Sequence, residues 1–93
     1  MERTRTKTRK EKMNLRTIRI VYPEGDVQEI PHSLGINQLV DVNGYPLRTP
    51  LSTHKVIAYR VFKKSTKMDR GEENIYYFLE LVPSAELLYY TSP

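Results

Sequence analysis

The chain has 93 residues, no cysteine and a formal net charge of +4 at neutral pH. This length supports one small domain, and the lack of cysteine excludes a disulfide framework and a thiolate metal site. The apolar runs are far shorter than the ~20 residues of a membrane-spanning helix, and none follows the basic start as in a secretory signal, so we expect a cytoplasmic protein.

The net charge is confined to residues 1–12, which we call the basic arm. The arm has six Lys or Arg and two Glu, which gives the whole +4, whereas residues 13–93 have nine basic and nine acidic side chains. Because the arm has no apolar residue after Met1, we predict that it is disordered and precedes a single small β-rich domain over residues 13–93. Met13 is an alternative translation start, in which case the arm is not part of the native protein.

The first element after the arm is a predicted hairpin. Ile18, Ile20 and Tyr22 alternate with Arg19 and Val21, which is the period of a strand. The turn residues 23–26 include a proline and a glycine, and they return the chain into a second strand over Val27–Ile30.

The middle of the chain is expected to form a loop, a strand and an edge segment. Residues 31–37 have turn composition, and an extended apolar run then ends at Asn43 and Gly44, which predict a type I′ turn. Pro46 and Pro50 lack the backbone donor that a ladder needs, so residues 45–51 pair only as a short edge segment.

Two strands over residues 55–62 and 75–82 are predicted to form the core, because each is apolar on both faces. The polar residues 63–74 between them predict a hairpin with a projecting tip near Gly71. Ser84 is the expected N-cap of a short C-terminal helical turn. We therefore predict a mainly β fold, a small antiparallel barrel or strongly rolled sheet of about five strands.

Residues for catalysis or metal binding are sparse. His32 and His54 lie in proline-containing loops without an adjacent carboxylate, and all four glycines are isolated, which excludes a phosphate-binding glycine loop. A set of Ser52, His54 and Asp41 is the best nucleophilic arrangement available, and it has no supporting motif. We expect no catalytic residue, no cofactor and no metal, hence a protein that is not an enzyme.

A protein interface is the first functional hypothesis. Apolar residues lie near the predicted edge and in the C-terminal stretch, where they either close an open end of the barrel or contact a partner. We expect a binding or adaptor module that contacts a protein partner or itself, with the arm as an accessory polyanion contact. The candidate interface residues are Tyr45, Leu47, Leu51, Leu87, Leu88, Tyr89 and Tyr90.

Nucleic-acid binding is the alternative. The arm and the hairpin tip provide basic side chains, and Tyr76 and Tyr77 point to opposite faces of one strand, so one of them is available to stack on a base. The candidate contacts are Arg3, Arg5, Lys7, Arg9, Lys10 and Lys12 in the arm, and Lys63, Lys64, Lys67 and Arg70 at the tip.

Overall fold

A tight turn after an alternating apolar run organises the start of the sheet. In the computed structural model, which describes residues 15–91, β1 (Leu15–Val21) and β2 (Val27–Ile30) form an antiparallel hairpin. The Tyr22 N–H closes the turn by donating to the Asp26 carbonyl oxygen at 2.8 Å. The first predicted hairpin is therefore confirmed.

The next strand is only two residues long and lies at the sheet edge. After β3 (Leu39–Val40) the chain turns back, so that Pro46 bridges to Val40. The Leu47 N–H donates to the carbonyl oxygen of Leu39 at 3.0 Å. This pairing confirms the short edge segment that the prolines predicted.

The turn between these two segments is tight, as predicted, but type I′ is wrong. The Gly44 N–H donates to the Asp41 carbonyl oxygen at 3.0 Å, and Gly44 has a positive φ (86°) whereas Asn43 does not. The Asp41 carboxylate accepts hydrogen bonds from the N–H groups of Asn43 and Tyr45 at 2.8 and 3.0 Å. These bonds favour a three-residue loop with glycine in its last position.

The core hairpin is longer than expected at its tip. β4 (Tyr59–Asp69) and β5 (Glu72–Leu81) pair antiparallel, so most of residues 63–74 is strand. A two-residue turn joins them, and both of its residues, Arg70 and Gly71, have positive φ (52° and 83°). The type I′ geometry therefore occurs in this turn.

The five strands form one mixed sheet in the order β2-β1-β5-β4-β3, curled into a half-barrel. The mainly β class, the strand number and the rolled sheet are confirmed. One pair differs from the expected antiparallel arrangement, because β1 lies parallel to β5 from the pair Leu15–Glu72 to the pair Val21–Phe78. A parallel pair needs a long crossover, and the chain between β1 and β5 provides it.

A bulge in β4 determines which side chains lie on each face of the sheet. Val61 lies opposite Leu79, but Lys63 lies opposite Phe78, so Phe62 is an extra residue and the alternation of β4 reverses there. We call the face with Val61 and Leu79 the inner face and the opposite one the outer face.

The two faces carry separate cores. The first core lies on the inner face and consists of Ile18, Ile20, Ile30, Leu34, Val40, Val61, Ile75, Tyr77 and Leu79. The second core lies on the outer face where β4 begins, because Leu39 is one of its members and pairs with Arg60, the neighbour of Val61. Its buried members are Leu39, Leu51, Ala58, Val82 and Leu87, with Leu47 and Tyr90 packed against them.

The C-terminal helical turn begins after Pro83. It comprises α1 (Ser84–Leu87) and a 3-10 turn (Leu88–Tyr90), which confirms the expected short helix. Ser84 is not the N-cap, since Pro83 occupies that position and its carbonyl oxygen accepts the Leu87 N–H at 3.0 Å. No helix within residues 15–91 is long and apolar enough to cross a membrane.

The turn at Gly44 gives a matched test of packing. A Cβ on Gly44 would lie 2.8 Å from the Ile20 Cδ1 atom, whereas one on Gly25 would meet nothing within 4 Å, and both glycines have positive φ. We expect Gly25→Ala to lower the free energy of unfolding by about 1–2 kcal/mol through φ alone. Gly44→Ala should cost about 1–3 kcal/mol more through overpacking. Equal losses in urea denaturation would show that the turn does not pack on the first core.

Tyr22 gives a test with a defined pH dependence. Its hydroxyl donates to the Val42 carbonyl oxygen at 2.6 Å, and burial, with a smaller contribution from Tyr59, raises the pKa of Tyr22 above its ordinary 10.0. Tyr22→Phe should lower the free energy of unfolding by about 1 kcal/mol at neutral pH.

The raised pKa means that the folded state binds the Tyr22 proton more tightly than the unfolded state. This stabilisation is complete below pH 10 and is lost as the pH rises through the folded-state pKa. The difference between wild type and Tyr22→Phe should therefore shrink above pH 10 in denaturation curves. Tyr89→Phe is the control, and a constant difference for Tyr22→Phe would contradict the burial of its hydroxyl.

Candidate interaction surfaces

The structure divides the predicted interface residues into a buried or half-buried group and an exposed group. Leu51 and Leu87 are buried in the second core and cannot touch a partner while that core is closed. Leu47 and Tyr90 are half-buried against the same core. The exposed members of the predicted interface are Tyr45, Leu88 and Tyr89.

The exposed group does not form one patch. Tyr45 follows Gly44, which packs on the inner face, and its ring lies 5.0 Å from that of His32. Leu88 and Tyr89 follow α1, which packs on the outer face through Leu87. The two groups therefore lie on different sides of the sheet.

A further set of exposed apolar side chains lies where β4 begins and β5 ends. Ile57 is 60% exposed and Leu81 is 56% exposed, and neither belongs to the first core. Val56, which precedes Ile57 in the chain, is also exposed. The Val82 N–H donates to the Ala58 carbonyl oxygen at 3.0 Å, which holds these segments together. In the sequence, these residues could be found because the two predicted core strands are apolar on both faces. We call the exposed apolar residues at this end of the sheet the apolar end: Val56, Ile57, Leu81, Leu88 and Tyr89. The apolar end spans both faces, since Leu81 pairs with Tyr59 on the inner face and Leu88 and Tyr89 follow α1 on the outer face.

Arg60 fixes the C-terminal turn against the sheet. Its Nε donates to Glu80 at 2.7 Å and its Nη1 donates to Glu86 of α1, and the Arg60 side chain is only 20% exposed. The hydrogen bonds to Glu86 and Glu80 raise the pKa of the Arg60 guanidinium above its ordinary value. The guanidinium thus joins β4, β5 and α1 and sets the direction in which Leu88 and Tyr89 leave the fold.

The bulge separates the basic residues of the hairpin. Lys63 and Lys67 lie on the outer face, opposite Phe78 and Asn74, whereas Lys64 lies opposite Tyr77 on the inner face. Arg70 is in the turn itself. The four predicted tip contacts therefore do not form one surface, and two of them share a face with aromatic rings. The basic arm lies outside the described residues.

Aromatic rings on the outer face of β5 each have a cation above them. The Arg19 guanidinium carbon lies 5.6 Å from the centre of the Tyr76 ring, and the Lys63 Nζ lies 5.2 Å from the centre of the Phe78 ring. Of the two tyrosines proposed for stacking, Tyr77 is buried in the first core and Tyr76 is half-buried outside it. We call Arg19, Lys63, Tyr76 and Phe78 the aromatic platform.

Sequence reasoning missed two members of the aromatic platform. Phe78 occurs two residues after Tyr76, so the period of the strand places both rings on one face. Arg19 occurs in a different strand, and only the parallel pairing of β1 with β5 brings it opposite Tyr76. Phe78 could be found from local spacing, whereas Arg19 could not.

Two of the groups considered for catalysis have structural partners. The His32 Nε2 lies 2.8 Å from the Gly44 carbonyl oxygen, and the Asp41 carboxylate accepts hydrogen bonds from backbone N–H groups of its own turn. Within residues 15–91 there is no group of three or more His, Asp or Glu placed to hold a metal ion.

The chain matches a known family over most of its length. A family model described as "Uncharacterised Treponema protein" matches residues 14–90. Neither the curated proteins nor the solved structures give a match.

Replacement of Arg60 tests the attachment of the C-terminal turn. Arg60→Gln removes the charge-assisted bonds to Glu80 and Glu86, and because both carboxylates are partly exposed we expect a loss of about 1–2 kcal/mol of unfolding free energy. The amides of α1 should also exchange faster. Arg16→Gln is the control, since the Arg16 side chain is more exposed than that of Arg60 and its pair with Glu73 should contribute less than about 1 kcal/mol. Equal effects of the two variants would contradict a fixing role for Arg60.

Proposed function

The chain belongs to the uncharacterised Treponema protein family, whose description names no activity, and we propose from its geometry that it is a non-enzymatic binding module of the cytoplasm. The module docks on a protein partner or on a second copy of itself through the apolar end. The basic arm is an accessory contact to a polyanion.

The exposure of large apolar side chains at one end of the sheet carries this proposal. Ile57 and Leu81 continue the apolar rows of β4 and β5 beyond the region where other residues cover them. Tyr89 is 88% exposed although its neighbours Leu87 and Tyr90 face the second core. Leaving such side chains in water has no benefit for folding, and concentrated exposed apolar residues mark interaction sites.

The attachment of α1 supports the same role. Arg60 and the buried Leu87 hold the turn, so Leu88 and Tyr89 are presented from a fixed position instead of a free terminus. A preorganised contact loses less conformational entropy on binding than a mobile one. Tyrosine is also among the residues that most often dominate binding energy at interfaces.

Nucleic acid as the main ligand is the alternative function. It rests on the basic arm and on the tip residues, and Lys63 and Lys67 share the outer face of the hairpin. A contact that depends on phosphates weakens steeply with salt, whereas an apolar protein interface responds weakly.

The test is affinity purification of the full chain, tagged at its N-terminus, with nuclease treatment of half of each sample. Ile57→Ser and Tyr89→Ser should each weaken partner recovery at least tenfold, since a central interface side chain contributes more than about 1.4 kcal/mol. Met68→Ser is the matched control, because Met68 is 66% exposed but lies near the opposite end of β4.

We expect the same partner to be recovered with and without nuclease, and all variants to remain folded. Size-exclusion chromatography with light scattering identifies the case in which the partner is a second copy. Recovery that is unchanged in Ile57→Ser and Tyr89→Ser would contradict docking through the apolar end. Loss of all partners after nuclease treatment would favour the nucleic-acid alternative instead.

A further inference from the structure

We propose that the aromatic platform is a binding site for single-stranded nucleic acid, with bases stacked on Tyr76 and Phe78 and phosphates held by basic side chains of the outer face. This inference goes beyond protein docking and does not depend on it, because the apolar end and the aromatic platform are different surfaces.

The two rings lie outside both cores. Tyr76 and Phe78 are half-buried, and neither belongs to the first or the second core. Their partial burial includes contacts with polar neighbours on the same face, since the Arg19 Nη1 donates to Asn74 at 3.1 Å and approaches the Tyr76 hydroxyl at 3.5 Å. Two aromatic side chains that belong to neither core therefore share one face of a central strand.

The spacing of the rings suits separate bases. Tyr76 and Phe78 are two residues apart on β5, which corresponds to about 7 Å along a strand. RNA-binding modules that use an open sheet place aromatic side chains on the exposed face and stack two or three bases on them. The outer face likewise carries two aromatic side chains on one strand. A duplex keeps its bases stacked inside, so it has no free base to stack on Tyr76 or Phe78.

The cations above the rings do not block stacking. A cation–π contact at an exposed site is worth about 0.5–1 kcal/mol, whereas stacking of a base on an aromatic side chain is worth about 1–3 kcal/mol. A base would therefore displace the Lys63 and Arg19 side chains from the ring faces. The displaced cations then lie beside the base, where the sugar–phosphate backbone passes.

Basic side chains lie on the outer face between the rings and the hairpin tip. Lys67 follows Lys63 on the outer face of β4, and Leu15 pairs with Glu72 at the hairpin tip. The basic arm, with its net +4, precedes Leu15 in the sequence. Four acidic residues also lie on this face: Glu80 is paired with Arg60, Glu29 lies opposite Arg19, and Asp69 and Glu72 lie at the tip. They limit the charge of the sheet itself, so Lys63 and Lys67 provide the phosphate contacts and the rings provide the single-strand preference.

The test measures fluorescence anisotropy of labelled oligo(dT) and oligo(U) of about 12 nucleotides with the full 93-residue chain, beside a duplex of equal length. Both single strands should bind, and the duplex more weakly. Tyr76→Leu and Phe78→Leu should each weaken binding about tenfold at unchanged salt dependence. Tyr89→Leu removes an exposed tyrosine elsewhere and should have no effect.

Charge variants keep the proposal testable if an aromatic variant is destabilised. Lys63→Gln and Lys67→Gln lie at exposed positions, and each should reduce the slope of log affinity against log salt by about 0.7 between roughly 50 and 200 mM. Deletion of the arm should reduce the slope further and leave the effect of Phe78→Leu in place.

Three results would overturn the inference. Wild-type affinity in both aromatic variants, with binding lost on arm deletion, would reduce the site to the arm alone. Equal or tighter binding of the duplex would exclude base stacking as the basis of recognition. No binding of either single strand at low salt would exclude the site altogether.

Discussion

A single extra residue in β4 determines what each face of the sheet presents. Up to Val61 the strand places its apolar residues on the inner face, and the bulge at Phe62 then reverses the alternation. In an unbulged strand, Lys63 would point towards the first core, and Met68 would lie on the outer face. The bulge instead directs Lys63 and Lys67 outwards beside the rings of β5, and it leaves Arg60 on the outer face to hold α1. The outer face and the second core both depend on this register.

The parallel pairing of β1 with β5 separates the two ends of the molecule. Because Leu15 lies beside Glu72, the start of the described chain is at the hairpin tip, whereas α1 follows the far end of β5. The long crossover between β1 and β5 supplies the loops that pack on the inner face through Gly44 and on the outer face through Leu51. One pairing therefore places the start of the described chain and the apolar end at opposite ends of one sheet.

Local patterns predicted the local features and failed where distant residues decide. The β1–β2 hairpin, the edge segment at Pro46 and the short C-terminal turn follow from alternation and proline chemistry. Asn43 and Gly44 suggested a type I′ turn, but the Asp41 carboxylate and the pairing of the flanking segments selected another loop. The polar tip of β4 and β5 is strand because β1 pairs along it, which no local propensity reveals. For the same reason Phe78 could have been found from its spacing to Tyr76, whereas Arg19 could not.

The basic arm and the aromatic platform would contribute to binding in different ways. An arm with a net charge of +4 attracts any polyanion, and that attraction weakens rapidly with salt because it depends on the release of counterions. Stacking on Tyr76 and Phe78 depends on the faces of unpaired bases and is far less sensitive to salt. Since the arm precedes Leu15 in the sequence and Leu15 pairs at the tip, a nucleic-acid strand captured by the arm would be held at a high effective concentration near the rings. Selectivity for single strands would then come from the folded sheet, and the association rate from the arm.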